Sequence, residues 1–153
     1  MIQDSLNIDD IMGYLEITPP FLMIDRVDKI VPGKSCHAIK KLKQVEWFFN
    51  CHLEKEQLMP GALQIEAMLQ TLVLAIYTME GHKGKLSFVT DVSARLLSKV
   101  SPNSQLDIYA DLISYKRGIA KGNVKIKVND IKVCEGEFTL ISPHDMPIPR
   151  TYN

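Results

Sequence analysis

The chain has 153 residues, of which 46% are hydrophobic and 24% are charged, and its 18 basic residues balance its 18 acidic residues. This length is typical of one domain with a sizeable core, and the balanced charge creates no global field that would attract nucleic acid or an anionic membrane. We therefore expect a single domain over residues 1–153 and no nucleic-acid partner.

The N-terminal residues and the cysteines favour a cytoplasmic protein. The start, MIQDSLNIDD, has no basic segment followed by an apolar one, so we expect no secretory signal. The most apolar stretch, residues 62–79, is interrupted by polar side chains, so we expect no membrane insertion. Three widely spaced cysteines without a CxxC pair favour reduced thiols over a disulfide framework or a zinc site.

The first part of the chain predicts a short helix and a strand. Asn7 or Asp9 can cap a helix that ends near Leu15, ahead of two prolines. Residues 21–31 mix apolar and charged side chains and end at a Pro-Gly turn. Residues 35–43 alternate loosely, which predicts a strand.

The longest predicted helix begins at Pro60, as the first helical residue, and ends at Gly81. Apolar side chains lie nearly all the way round it, at Leu63, Ile65, Met68, Leu69, Leu72, Val73, Leu74, Ile76 and Tyr77. A helix of this kind must be enclosed by other structure.

The remainder of the chain predicts strands, at residues 86–100, 105–118, 119–128 and 131–141, with a tight turn at Asn129-Asp130. Strands joined by short turns indicate an antiparallel sheet. A curved sheet wrapped around a long central helix is an α+β arrangement, the hotdog architecture. A sandwich with the helix outside fits the same pattern, but the all-round hydrophobicity favours the wrapped form. It also suggests a dimer, because one sheet covers only one side of such a helix.

Glu66 lies within the apolar helix, fourteen residues after His52. A solvent-facing glutamate near a helix N-terminus is the ordinary interpretation. However, the helical neighbours of Glu66 are mostly apolar, and Gln70, four residues on, can hydrogen-bond its carboxyl. Gly61 places a backbone N–H at the helix N-terminus, where a substrate oxygen can approach. A histidine base, a carboxyl acid and an N–H for an oxyanion together form a general acid–base site.

From about Pro20 to Ile141 the sequence resembles the 3-hydroxyacyl-[acyl-carrier-protein] dehydratases of bacterial fatty-acid synthesis. The resemblance rests on PFLMIDRV, PGKS, FFNCH, MPGALQIEAMLQ and FVTDVSAR in the expected order, and MPGALQIEAMLQ is its specific part. It implies the hotdog fold, a homodimer that often assembles as a trimer of dimers, and an acyl carrier protein as partner. It also implies a lyase that needs no metal or organic cofactor, because water is only eliminated.

The resemblance implies a role for each site residue. His52 matches the base that removes the C2 proton, and Glu66 of the partner subunit matches the acid that protonates the departing C3 hydroxyl. The Gly61 N–H matches the group that binds the thioester carbonyl. The substrate-binding group is completed by Gln70, Met59 and Leu69. An acyl tunnel would be lined by Met59, Met68, Leu69 and Leu72, with ordinary core packing as the alternative.

Because an acyl carrier protein is acidic, we expect basic side chains near the mouth of the tunnel. The candidates are Arg95, Lys99, Lys116, Arg117 and Lys121. An exposed run of Lys and Arg is otherwise an ordinary solvated face.

The sequence departs from the family pattern around the histidine. Cys51-His52-Leu53-Glu54 replaces Gly-His-Phe-Pro, and Gln57 stands where a further proline is usual. Ile17-Thr18 replaces a His-Arg pair, and Asn103 replaces the glycine of a Pro-Gly-Asp turn. The lost glycine and prolines predict a looser loop, and we expect activity on a specialised acyl substrate.

Two other functions stay open at this point. A thioesterase on the same fold would use Glu66 to activate water, and a non-catalytic acyl-binding subunit would have lost activity with the altered loop. Cys51 as a nucleophile is disfavoured, because adjacent residues of an extended loop point in opposite directions.

Overall fold

The computed structural model describes residues 4–147, which form two α-helices and one six-stranded sheet. In chain order the elements are α1 (Ile8–Leu15), β1 (Arg26–Val31), β2 (Ser35–Lys41), α2 (Gly61–Tyr77), β3 (Phe88–Leu96), β4 (Gln105–Lys116), β5 (Ile119–Val128) and β6 (Ile131–Ile141). Single 3-10 turns lie at Trp47–Asn50 and Pro143–Asp145. The predicted single domain extends beyond the described residues at both ends and stays a prediction.

The sheet has the order β1-β2-β4-β5-β6-β3, and all its neighbouring strands are antiparallel. It packs around α2, which contacts β2, β4, β5 and β6, and α1 packs against both α2 and β1. The predicted α+β hotdog architecture is confirmed.

The core lies between α2 and the concave side of the sheet. Met68 and Leu72 are fully buried there. Each such side chain stabilises the fold by roughly 1.5–3 kcal/mol. These two residues, predicted either to line a tunnel or to pack in the core, pack in the core.

The predicted bounds of α2 were slightly wrong. Pro60 is the N-cap rather than the first helical residue, and the helix ends at Tyr77 rather than near Gly81. The Thr78 side chain donates to the Leu74 carbonyl at 2.6 Å, and Gly81 then turns the chain with a φ of 78°. No helix within residues 4–147 is both long and apolar enough to cross a membrane.

Residues with positive φ close the turns between strands. Asn129 and Asp130, with φ values of 50° and 65°, form the predicted tight hairpin between β5 and β6. Asn103 has a φ of 66° in the turn before β4. Asparagine tolerates this left-handed conformation better than most residues, so it can replace the family's glycine there.

Candidate active site

His52 follows the 3-10 turn Trp47–Asn50, which is anchored in the core by the buried Phe48 and Phe49 rings. The imidazole is half-buried, and its Nδ1 lies 3.2 Å from the Leu58 carbonyl oxygen. Because a carbonyl oxygen only accepts hydrogen bonds, Nδ1 must carry the proton. Nε2 of the neutral ring therefore keeps its lone pair, as a general base requires.

The loop around His52 is tied by hydrogen bonds where the family has prolines. The Gln57 side chain donates to the Phe49 carbonyl at 3.1 Å, and the Glu56 N–H donates to the Leu53 carbonyl at 3.0 Å. These contacts restrain the loop that the sequence predicted to be loose. The Cys51 thiol donates to the Trp47 carbonyl at 3.4 Å and is exposed.

His52 lines a cavity of about 370 Å³ together with Met59, Gly61, Gln64 and residues 96–100. The buried Met59 is fixed by its N–H, which donates to the Val100 carbonyl at 2.8 Å. Apart from Lys99, residues 96–100 were not predicted as a wall of this cavity. They meet the Met-Pro-Gly segment through one backbone hydrogen bond, at Val100, and through the Leu96 side chain, and no motif in the sequence marks either contact.

Gly61 is the first residue of α2, and no side chain caps this helix end. Its N–H therefore lies at the positive end of the helix dipole, beside the cavity. A Cβ added at Gly61 would overlap the Leu96 Cδ1 atom. Glycine thus lets Leu96 pack directly against the start of the helix.

Glu66 is half-buried on α2. Gln70 donates its Nε2 to Glu66 Oε1 at 3.0 Å, the bond that the four-residue spacing predicts. Burial raises the pKa of the Glu66 carboxyl above its usual value, and the hydrogen bond from Gln70 offsets part of that rise. The carboxyl is therefore biased towards its protonated form, as a general acid requires.

Gln70 is buried and all three of its hydrogen bonds are well formed. Its Oε1 accepts from the Met23 N–H at 2.8 Å, and its Nε2 donates both to the Phe21 carbonyl at 3.1 Å and to Glu66. The PFLM segment and the acid of the MPGALQIEAMLQ motif are thereby held by one side chain.

His52 and Glu66 line separate cavities of one chain. Glu66 lies in a slot of about 160 Å³ with Ile17, Leu69 and Val73, and none of these residues borders the cavity of His52. Of the predicted substrate-binding residues, Met59 and Gly61 thus lie with the histidine, and Leu69 and Gln70 lie with the glutamate.

The five predicted basic residues are exposed, but they do not form one surface patch. Lys99 borders the cavity of His52 and pairs with Glu56. Arg95 lies on β3, 3.5 Å from a Glu135 oxygen. The other three, Lys116, Arg117 and Lys121, are at the hairpin between β4 and β5. Within residues 4–147, no group of three acidic, His or Cys side chains is placed to hold a metal ion.

Comparison with known proteins gives the family. Residues 17–137 match a family model described as the FabA-like domain. The 3-hydroxyacyl-[acyl-carrier-protein] dehydratase FabZ of Syntrophomonas wolfei subsp. wolfei is 37% identical over 135 residues, which cover 88% of this chain and 94% of that protein. The chain belongs to the FabA-like family. The resemblance inferred from the sequence motifs is therefore confirmed.

This FabA-like protein also shares its fold with more distant solved structures. The dehydratase heterocomplex ApeI:P from Xenorhabdus doucetiae has a TM-score of 0.71 at 16% identity, covering 87% of this chain and 90% of that chain. A hypothetical thioesterase with coenzyme A from Streptococcus pneumoniae TIGR4 has a TM-score of 0.61 at 15% identity, covering 75% and 82%. At these identities the likeness concerns the fold alone.

Proposed function

We propose that this protein is a lyase that dehydrates 3-hydroxyacyl thioesters carried on acyl carrier protein, giving trans-2-enoyl thioesters in fatty-acid or related acyl-chain synthesis. The observation that carries the proposal is a complementary pair of groups. His52 holds a proton on Nδ1 and a lone pair on Nε2, and Glu66 is biased towards its acid form. The dehydratase named above, which is similar over 88% of the chain, supports the same reaction.

Each reacting group has one role in the proposed reaction. His52 Nε2 takes a proton from C2, and the electron pair of that C–H bond forms the C2–C3 double bond. The C3–O bond breaks as the Glu66 carboxyl gives its proton to the leaving hydroxyl, which departs as water. The Gly61 N–H binds the thioester carbonyl oxygen as it gains negative charge. One proton must then pass from the imidazolium to the carboxylate to restore the resting state.

We further propose that two copies of the chain build each site. Val89, Val92 and Leu96 lie opposite buried residues of β6, on the helix side of the sheet, yet they remain 42%, 48% and 53% exposed. They belong to β3, an edge strand of the described sheet, which is open to another strand. An apolar surface of this kind beside an unpaired edge favours a second copy of the chain as the cover.

The geometry of a two-fold axis supports a site shared between subunits. Antiparallel pairing of β3 with its symmetry mate brings the Leu96 end of one chain beside the Val89 end of the other. Leu96 borders the cavity of His52, and Val89 borders the slot of Glu66. The base of one chain then meets the acid of its partner, which explains why the two groups line separate cavities in one chain.

The remaining expectations belong to the same proposal. The described residues form one hotdog domain, the dimers assemble as a trimer of dimers, and the enzyme is cytoplasmic. Lys99, next to the cavity of His52, is the basic residue best placed to meet an acidic carrier protein at the entrance.

The test is turnover by the purified chain of 3-hydroxyacyl thioesters on acyl carrier protein. A dehydratase produces the ultraviolet absorbance of an enoyl thioester and a product lighter by one water in the mass spectrum. Release of free thiol without that absorbance would instead identify a thioesterase. Binding of the carrier protein without either product would identify a non-catalytic subunit.

A further inference from the structure

The slot beside Glu66 is apolar along its length. Its walls come from the end of α1, from α2, and from the two neighbouring strands β3 and β6, and they comprise Leu15, Ile17, Leu69, Val73, Val89 and Leu140. Glu66 and Gln70 are the polar groups at one end of the α2 wall. An acyl chain whose C3 carbon lies at the Glu66 carboxyl would extend into this slot, because the slot offers it an apolar environment.

Tyr77 and Ser87 lie at the other end of the slot. Residues 66, 69, 73 and 77 follow one face of α2, and Tyr77 is the last residue of that helix. A long helical side chain leans towards the helix N-terminus, so the ring of Tyr77 lies over the turn that carries Val73. The ring therefore faces the end of any chain that enters past Glu66.

Hydrogen bonds fix this end of the slot. The Tyr77 hydroxyl accepts from the Ser87 N–H at 2.9 Å and donates to the Ser87 carbonyl at 3.4 Å. The Ser87 hydroxyl lies 2.6 Å from that of Ser142, which follows β6. Tyr77 is only 5% exposed. Ser87, itself bonded to Ser142, thus holds the tyrosine, and an incoming acyl chain would have to break these hydrogen bonds to displace it.

The volume of the slot sets its capacity. An apolar cavity of about 150 Å³ holds one benzene molecule, so the part of the slot that this chain builds, about 160 Å³, holds about six carbon atoms. We propose, on the basis of the dehydratase function above, that this slot is the acyl site and that Tyr77 is its end wall, limiting the enzyme to short acyl chains. With C3 at Glu66, substrates of up to about nine or ten carbons fit, and longer chains meet the tyrosine ring.

The experiment measures both turnover and binding against chain length, with the full chain. Saturated 3-hydroxyacyl thioesters of roughly four to fourteen carbons are the substrates, and non-reacting acyl thioethers of the same lengths are titrated calorimetrically. We expect kcat/KM to fall about tenfold or more between eight and twelve carbons, and thioether affinity to fall over the same interval. Equal turnover and equal affinity at all these lengths would contradict the assignment of Tyr77 as the end wall.

Two substitutions enlarge the slot and one control does not. Val73→Ala widens the slot beside Tyr77, and Tyr77→Leu shortens the end wall, so both are expected to move the length limit upwards by about two carbons or more. Val27→Ala removes the same two methyl groups from a buried position on β1, outside the slot, and the limit should stay where it is. Identical limits for Val73→Ala and Val27→Ala in soluble, folded protein would contradict the proposal.

The two readouts separate this inference from the dehydratase proposal. Suppose that thioether binding shows a length limit that moves with Val73→Ala, but no substrate of any length is turned over. That result would support the assignment of the slot as the acyl site and contradict the proposed dehydratase activity. Equal turnover of substrates of every length would support the proposed dehydratase activity and contradict the assignment of Tyr77 as the end wall of the slot.

Discussion

Gln70 Nε2 lies 3.0 Å from Glu66 Oε1, one helical turn away, and the same carboxamide binds the backbone of Phe21 and Met23. The position of the acid is thereby linked to the segment that leads into β1. Two motifs that are far apart in the sequence act as one structural unit, because the buried side chain of Gln70 forms hydrogen bonds to both.

Gln70→Leu tests this link. The substitution leaves the buried Met23 N–H without its partner, which costs about 1–3 kcal/mol, whereas the Phe21 carbonyl belongs to a residue that is 47% exposed and can bind water instead. We expect the free energy of unfolding to fall by about 2 kcal/mol, and kcat to fall about tenfold because Glu66 is no longer oriented. Urea denaturation and steady-state kinetics measure the two effects.

Gln64→Leu is the matched control on the same helix. Gln64 is also buried, but it donates only one hydrogen bond, to the Met59 carbonyl at 3.2 Å. Its Oε1 is the buried side-chain oxygen without a partner among residues 4–147. The substitution leaves the Met59 carbonyl unpaired, but removing the unsatisfied Oε1 offsets that cost, so we expect a loss of stability below about 1 kcal/mol. Equal losses in the two variants would contradict the assignment of Gln70 as the link.

The sequence predicted the central helix and the later strands well, because their apolar patterns are regular. It left β1 unassigned for a physical reason. The register between β1 and β2 shifts between Val27 and Lys29, so the two buried residues of β1, Val27 and Ile30, stand three apart rather than two. A bulge of this kind breaks the alternation by which a strand is recognised.

The candidate site was predictable in part. His52, Gly61, Glu66 and Gln70 follow from motif residues close together in the chain. The slot beside Glu66 does not, because its walls come from four elements that only the fold brings together. The bond from Gln57 to the Phe49 carbonyl was also beyond the sequence, since a glutamine does not reveal which backbone group it will bind.

Gly61→Ala tests the close packing at the start of α2. The new methyl group would overlap Leu96 Cδ1 and push that side chain into the cavity of His52. We expect kcat/KM to fall about tenfold or more, because a displacement of about 1 Å near reacting groups can cost a hundredfold. Gly13→Ala is the control, since nothing lies within 4 Å of a Cβ at Gly13 in α1. It should leave kcat/KM unchanged and raise stability by about 0.5–1 kcal/mol.

The raised pKa of Glu66 predicts a pH dependence of stability. Burial makes the folded state hold the Glu66 proton more tightly than the unfolded state does. This contribution to stability is fully present below the ordinary carboxyl pKa of 4.5 and is lost as the pH rises through the folded-state pKa. Glu66→Gln mimics the protonated acid at every pH. Its stability relative to the unmodified protein should therefore increase as the pH rises from about 4.5 towards 7.

Thermal unfolding of both proteins across this pH range measures the difference. Glu80→Gln, at an exposed position just beyond α2, is the control and should show no such trend. A difference that stays constant or narrows as the pH rises would show that the native environment of Glu66 does not favour its acid form. The same shift predicts that kcat falls on the alkaline side, as the general acid ionises.

Mixing two inactive variants tests whether each site is shared between subunits. His52→Ala and Glu66→Gln should each lower kcat by about a hundredfold or more through loss of the base or the acid. Random reassociation of equal amounts gives half heterodimers, each with one intact site, so about a quarter of the original activity should return. The variants are unfolded together in urea, refolded, and assayed for enoyl thioester. Each variant refolded alone is the control and should remain inactive. If mass spectrometry shows heterodimers and no activity returns, His52 and Glu66 do not meet across the interface.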